Sequence, residues 1–93
     1  MMEKMSALSL QVTYRKGEPF AAYISLALHT GDEVARTEEA LPDLLVDYAS
    51  DGRPLGIEIV TPRAVSLEAI NEVFDRLGLG RPDPADLRPL QAA

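Results

Sequence analysis

Leu44-Leu45-Val46-Asp47-Tyr48-Ala49-Ser50-Asp51-Gly52-Arg53-Pro54-Leu55-Gly56-Ile57-Glu58-Ile59-Val60 reads as a β-hairpin. Two alternating runs flank Asp51-Gly52, a dipeptide tolerant of the positive φ angles of a tight turn. With that pair as the loop, Tyr48 faces Leu55, Val46 faces Ile57 and Leu44 faces Ile59, all apolar and all on one side. The opposite side pairs Asp47 with Gly56 and Leu45 with Glu58. Slipping the register by one residue would turn the apolar set toward water, so the pattern specifies the pairing.

Working outward, Leu8 to Tyr14 alternates as a half-buried strand, with Leu8, Leu10, Val12 and Tyr14 on one side. Arg15 to Pro19 is a turn, and Phe20 to Leu28 a second strand with Phe20, Ala22, Ile24, Leu26 and Leu28 on one face. Its other face, Ala21, Tyr23, Ser25 and Ala27, is weakly polar. His29 to Asp32 turns the chain, and Glu33 to Leu41 makes a third, more polar strand that Pro42-Asp43 ends. After the hairpin, Thr61-Pro62 closes the strand region and Ser66 stands as a helix N-cap, with Glu68 in the first turn. Leu67, Ile70, Val73, Phe74 and Leu77 recur at helical spacing as a core stripe, with Gly78 as the residue past the end and Leu79 placed to fold back on the last turn.

These elements predict an α+β fold: a five-stranded antiparallel β-meander, neighbours in sequence paired in space, with one C-terminal helix packed on one face. Residues 1–79 form the single domain. Residues 80–93 form a tail with Pro82, Pro84 and Pro89, in which Asp83-Pro84 can start one helical turn but an extended or frayed segment is expected, and whose Leu87 and Leu90 dock on the chain's own surface, on a neighbour or on nothing.

Composition narrows the function classes. Ninety-three residues make one modest core, and with only five aromatic residues it must be mainly aliphatic. The chain has no cysteine, which removes disulfides, thiolate metal sites and cysteine nucleophiles. Met1 to Ser6 is short and polar, with no signal-peptide pattern, and no window approaches the roughly 18 apolar residues of a membrane span. A soluble, cytoplasmic protein is expected.

The net charge of −6 is unevenly placed. Asp32, Glu33, Glu38, Glu39, Asp43, Asp47 and Asp51 share their segment with one base, Arg36, whereas the rest of the chain is balanced. Such a stripe repels phosphate backbones, so nucleic-acid binding is not expected. It serves as a solvated face or as a docking surface for a small basic protein. Arg63, Arg76, Arg81 and Arg88 are too scattered to form a basic patch.

Val34-Ala-Arg-Thr-Glu-Glu39, Leu45-Val-Asp-Tyr48, Asp51-Gly52 and Leu55-Gly-Ile-Glu-Ile59, with Tyr14 and Ala22-Tyr-Ile24 upstream, resemble a small family known as domain of unknown function 2283. The resemblance runs from Val12 to Val60. It departs at Phe20, where the family usually has an acidic or small polar residue, and the C-terminal helix and tail extend beyond it. It implies a tiny, soluble bacterial or archaeal protein without assigned activity. Some members stand beside toxin-like genes, which implies an antitoxin-like, partner-binding role.

Asp47, Asp51 and Glu58 are the candidates for chemistry, with Glu39 joining from the neighbouring strand. Clustered carboxylates ligate hard cations or share a proton. The simpler alternative is that Asp51 serves the turn, that Asp47 and Glu58 keep the outer face wet, and that Glu58 pairs with Arg36 or Arg53. His29 is the sole histidine, so neither a His-based triad nor a zinc site can form within one chain. Ser66 is explained as a cap, and Ser50 and Thr37 lack a histidine at motif spacing. Gly52 to Gly56 precedes a strand and is no phosphate cradle. Gly56 instead makes room for Asp47 opposite or for another backbone.

No catalytic residue and no cofactor is therefore expected. The leading expectation is a non-enzymatic interaction module that forms a homodimer or binds a small protein, with Ala21, Tyr23, Leu87 and Leu90 as interface candidates. The rival is a small ligand- or divalent-cation-binding domain using Glu39, Asp47 and Glu58.

Overall fold

A computed structural model describes residues 9–26 and 31–91. The elements are β1 (Ser9–Arg15), β2 (Glu18–Ser25), β3 (Arg36–Leu41), β4 (Leu44–Tyr48), β5 (Pro54–Ile59), a 3-10 turn (Pro62–Ala64), α1 (Leu67–Arg76) and a 3-10 helix (Pro84–Gln91). The strands form one antiparallel sheet in the order β1-β2-β5-β4-β3. The fold is α+β, with five antiparallel strands and a helix, as the patterning predicts.

The connectivity departs from a meander at one point: β2 pairs with β5, and β3 lies at the far edge. Burial preference accounts for this. β5 is buried at Leu55, Gly56, Ile57 and Ile59, on both faces, and so belongs between two neighbours. β3 is exposed from Arg36 to Glu39 and suits an edge. β2 and β3 therefore lie three inter-strand spacings apart, or about 14 Å.

The β4–β5 register follows the sequence at Leu44↔Ile59, Leu45↔Glu58, Val46↔Ile57 and Asp47↔Gly56, but Tyr48 lies opposite Pro54, not Leu55. The loop causes the difference. Among Ser50, Asp51 and Gly52, only Gly52 has positive φ, at 90°. The Ala49 carbonyl accepts from the Gly52 amide at 2.9 Å, and the Ala49 amide donates to the Arg53 carbonyl at 2.8 Å. The connection is a three-residue turn ended by a left-handed glycine. One extra residue, Leu55, then restores the register as a bulge.

A second bulge, between Thr13 and Tyr14, sets Tyr14 opposite Pro19 and leaves Phe20 as the extra residue. Phe20, expected on the inner face, is therefore 51% exposed, with the Arg15 guanidinium 4.9 Å from its ring centre. Tyr14 is likewise exposed. The third strand starts at Arg36, later than Glu33. Leu8, Ala27 and Leu28 at the predicted strand ends, and His29, lie outside the described residues.

Ala22, Ile24, Leu44, Val46, Ile57 and Ile59 turn one sheet face into an apolar floor. Ile70, Val73 and Phe74 of α1 close over it. Each such side chain contributes about 1.5–3 kcal/mol when fully buried. Ser66 caps α1 by accepting from the Ala69 amide at 3.1 Å. At the other end the Gly78 amide donates to Asp75 at 3.1 Å and the Leu79 amide to Phe74 at 3.0 Å. This Schellman pair brings Leu79 back against the core, as expected. Arg76 donates to the Ala40 carbonyl at 2.9 Å, tying the end of α1 to β3.

The tail is not frayed. Residues Pro84–Gln91 form a 3-10 helix, and Leu87 and Leu90 are 1% and 7% exposed within the same core as α1. Of the docking sites expected for them, the structure shows the chain's own surface: they are part of its lid. Asp83 stabilises the start of the helix by accepting from the Ala85 amide at 2.9 Å.

Candidate functional site

Alternation places the side chains not used by the core on the opposite sheet face. The pairings generate two rows across it. One row runs Thr37, Asp47, Gly56, Ser25, Ser9; the next runs Glu39, Leu45, Glu58, Tyr23, Gln11. Among the described residues no helix covers this face. It is the surface on which the chemistry-bearing candidates meet.

Its centre is a hydrogen-bonded triad of side chains. Tyr23 leans diagonally from its own row over Gly56, and its hydroxyl donates to Oδ2 of Asp47 at 2.8 Å. Thr37 donates from Oγ1 to Oδ1 of the same carboxylate at 2.6 Å. A Cβ on Gly56 would sit 2.1 Å from the Tyr23 hydroxyl oxygen, so the glycine makes room for this phenol. The clearance predicted at Gly56 is real, but its occupant is Tyr23 from the strand on the other side. Burial, followed by the hydrogen bond to Asp47 and the charges of Asp47 and Glu58, pushes the Tyr23 phenol well above its ordinary value.

The acidic candidates do not converge. Leu45 stands between Glu39 and Glu58 in their row. Both carboxylate oxygens of Asp47 already accept from hydroxyls. Among the described residues no three of His, Cys, Asp and Glu are placed to hold a metal ion. Asp51 serves the turn: it accepts from the Arg53 amide at 3.0 Å, and this bond with the nearby guanidinium holds its carboxyl below the usual range. Glu58 pairs with neither predicted arginine. Arg36 binds Glu38 at 2.7 Å and stacks on Tyr48 at 4.2 Å, whereas Arg53 turns to Asp32 and Asp51.

Sequence reading missed the Arg53–Asp32 contact. Two guanidinium nitrogens donate to the two Asp32 oxygens at 3.1 and 2.9 Å, pinning the crossing chain to the β4–β5 turn. A shallow polar cavity of about 230 Å³ lies between them. Thr37 was also missed: a Pro42-Asp43 turn alone would set Glu38 opposite Asp47, and only the register shift between Glu39 and Leu41 brings Thr37 there. Of the interface candidates, Ala21 and Tyr23 are half-buried on the open face, beside a depression of about 180 Å³ that Gln11, Thr13 and Glu58 complete. At the β1–β2 end, Arg15, Lys16, Phe20, Val60 and Arg63 line a groove of about 510 Å³, where Arg63 donates to Glu18.

No helix among the described residues is long and apolar enough to cross a membrane. No curated protein and no solved structure matches this chain. The family model for "Protein of unknown function (DUF2283)" matches residues 21–61. That span holds β2 from Ala21 onward and β3 to β5, with Tyr23, Thr37, Asp47 and Gly56 inside it, while β1, α1 and the 3-10 helix lie outside. The family read from the sequence is the family whose model matches: over residues 21–61 this chain is similar to DUF2283, a family of unknown function.

Proposed function

We propose that this protein is a small, non-enzymatic interaction module that docks a protein partner on the uncovered face of its sheet or along an open sheet edge. The partner is a second copy of the chain or a small basic protein, in the manner of an antitoxin. One observation carries the reading: one sheet face is lidded by α1 and the 3-10 helix, while the other is lid-free among the described residues and held rigid by the Tyr23–Asp47–Thr37 bonds. A pre-ordered surface binds without first losing side-chain freedom. The same bonds argue against catalysis. They occupy both oxygens of Asp47, and a phenol raised above its ordinary value holds its proton at neutral pH.

Light scattering behind size exclusion, at low micromolar concentration, tests self-association. A mass of twice 10.1 kDa is expected for a dimer. Co-expression with the product of the adjacent gene tests the other partner. A strictly monomeric mass together with failure to co-purify would remove the reading. Divalent cations are expected to leave the melting temperature unchanged, because a ligand stabilises only the fold that binds it.

A further inference from the structure

The two sheet edges are unlike. β3 carries Arg36, Glu38 and Glu39 within six residues and a register shift between Glu39 and Leu41, features that deter strand addition. β1 has no charge from Ser9 to Tyr14 and, among the described residues, pairs only with β2.

Two backbone bonds set which groups of β1 face outward. The Leu26 amide donates to the Leu55 carbonyl at 2.9 Å, and the Val60 amide to the Asp43 carbonyl at 3.0 Å. By the alternation of an antiparallel ladder, Ala22 and Ile24 then bond β5, and Ala21, Tyr23 and Ser25 bond β1 through Thr13, Gln11 and Ser9. The amides and carbonyls of Leu10 and Val12 are left facing the open edge.

The regular part of this strand, Ser9-Leu10-Gln11-Val12-Thr13, ends at the register shift and has the same polarity pattern in both directions. We propose that a second copy pairs with β1 antiparallel, about a two-fold axis at Gln11. Leu10 then lies opposite Val12 of the second copy and exchanges both backbone bonds with it. Ser9 meets Thr13, and Gln11 meets itself. Leu10 and Val12, only half-buried in one chain, cover each other and extend the apolar floor across the junction. The acidic residues between Asp32 and Asp51 fall on β3, β4 and the loops beside them, away from the axis, so the charge of −6 per chain does not oppose contact there. This deepens the self-association half of the function proposed above and rests on it.

Gln11 is exposed, so replacing it leaves the monomer's fold and melting temperature close to unchanged. Gln11→Lys and Gln11→Glu each place like charges face to face at the axis. In light scattering each variant alone is expected at 10.1 kDa, and their equimolar mixture at twice that mass. Gln11→Cys, in a chain without other cysteines, is expected to form a disulfide-linked dimer on oxidation, and Thr13→Cys is not. A native protein that is monomeric overturns both the pairing and the self-association it deepens. A dimer that persists in both charge variants overturns the pairing through β1 alone.

Discussion

The phenol of Tyr23 fills the space that a side chain on Gly56 would need, with its oxygen 2.1 Å from the Cβ position. Gly56→Ala therefore drives Tyr23 off Asp47 and is expected to destabilise the protein by about 2 kcal/mol, from overpacking and a lost hydrogen bond. In a Tyr23→Ala background the obstacle is gone. There the same substitution is expected to stabilise by about 0.5 kcal/mol, because alanine loses less backbone freedom than glycine in a strand. Urea titrations of the four proteins in this cycle read the coupling directly. A cost for Gly56→Ala that is equal in both backgrounds would contradict the contact.

The same phenol makes stability depend on alkaline pH. Its folded value is raised above the ordinary 10.0 by burial and by Asp47. The folded state thus retains a proton that the unfolded state releases above pH 10.0. The contribution is complete below that pH and is lost as pH rises from there through the folded value. Tyr23→Phe is expected to have a shallower alkaline loss of stability than the native protein. Urea titrations of the two proteins at neutral and alkaline pH compare the losses, and equal losses would contradict the raised phenol.

Leu87 distinguishes a tail that belongs to the core from one that waits for a neighbour. At 1% exposure, Leu87→Ala leaves a cavity beneath the 3-10 helix and is expected to cost about 2–4 kcal/mol, with no change in oligomeric mass. The exposed Arg88→Ala should stay within about 0.5 kcal/mol of native. A tail outside the core would give the reverse outcome, a stable Leu87→Ala protein with altered mass.

Much of this architecture was legible one segment at a time. Ser66, Gly78 and the stripe through Phe74 announce α1 because capping and helical spacing are local. The alternation of Leu44, Val46, Ile57 and Ile59 announces the central hairpin because its residues are close in sequence. The candidate site was less legible. Asp47 stood out as an acid, but its hydrogen-bonding partners come from separate strands, and Tyr23 reaches it only because β5 sets Gly56 between them.

Periodicity and capping sufficed to identify each strand, the helix and the apolar face, since each depends on a few consecutive residues. Strand order, the bulges that expose Phe20 and set Tyr48 opposite Pro54, the docking of Leu87 and the bonds around Asp47 required the assembled molecule. They arise from competition among distant segments for burial and hydrogen bonds, and in that competition β5, apolar on one face and clear at Gly56 on the other, took the place beside β2 that adjacency in sequence would have assigned to β3.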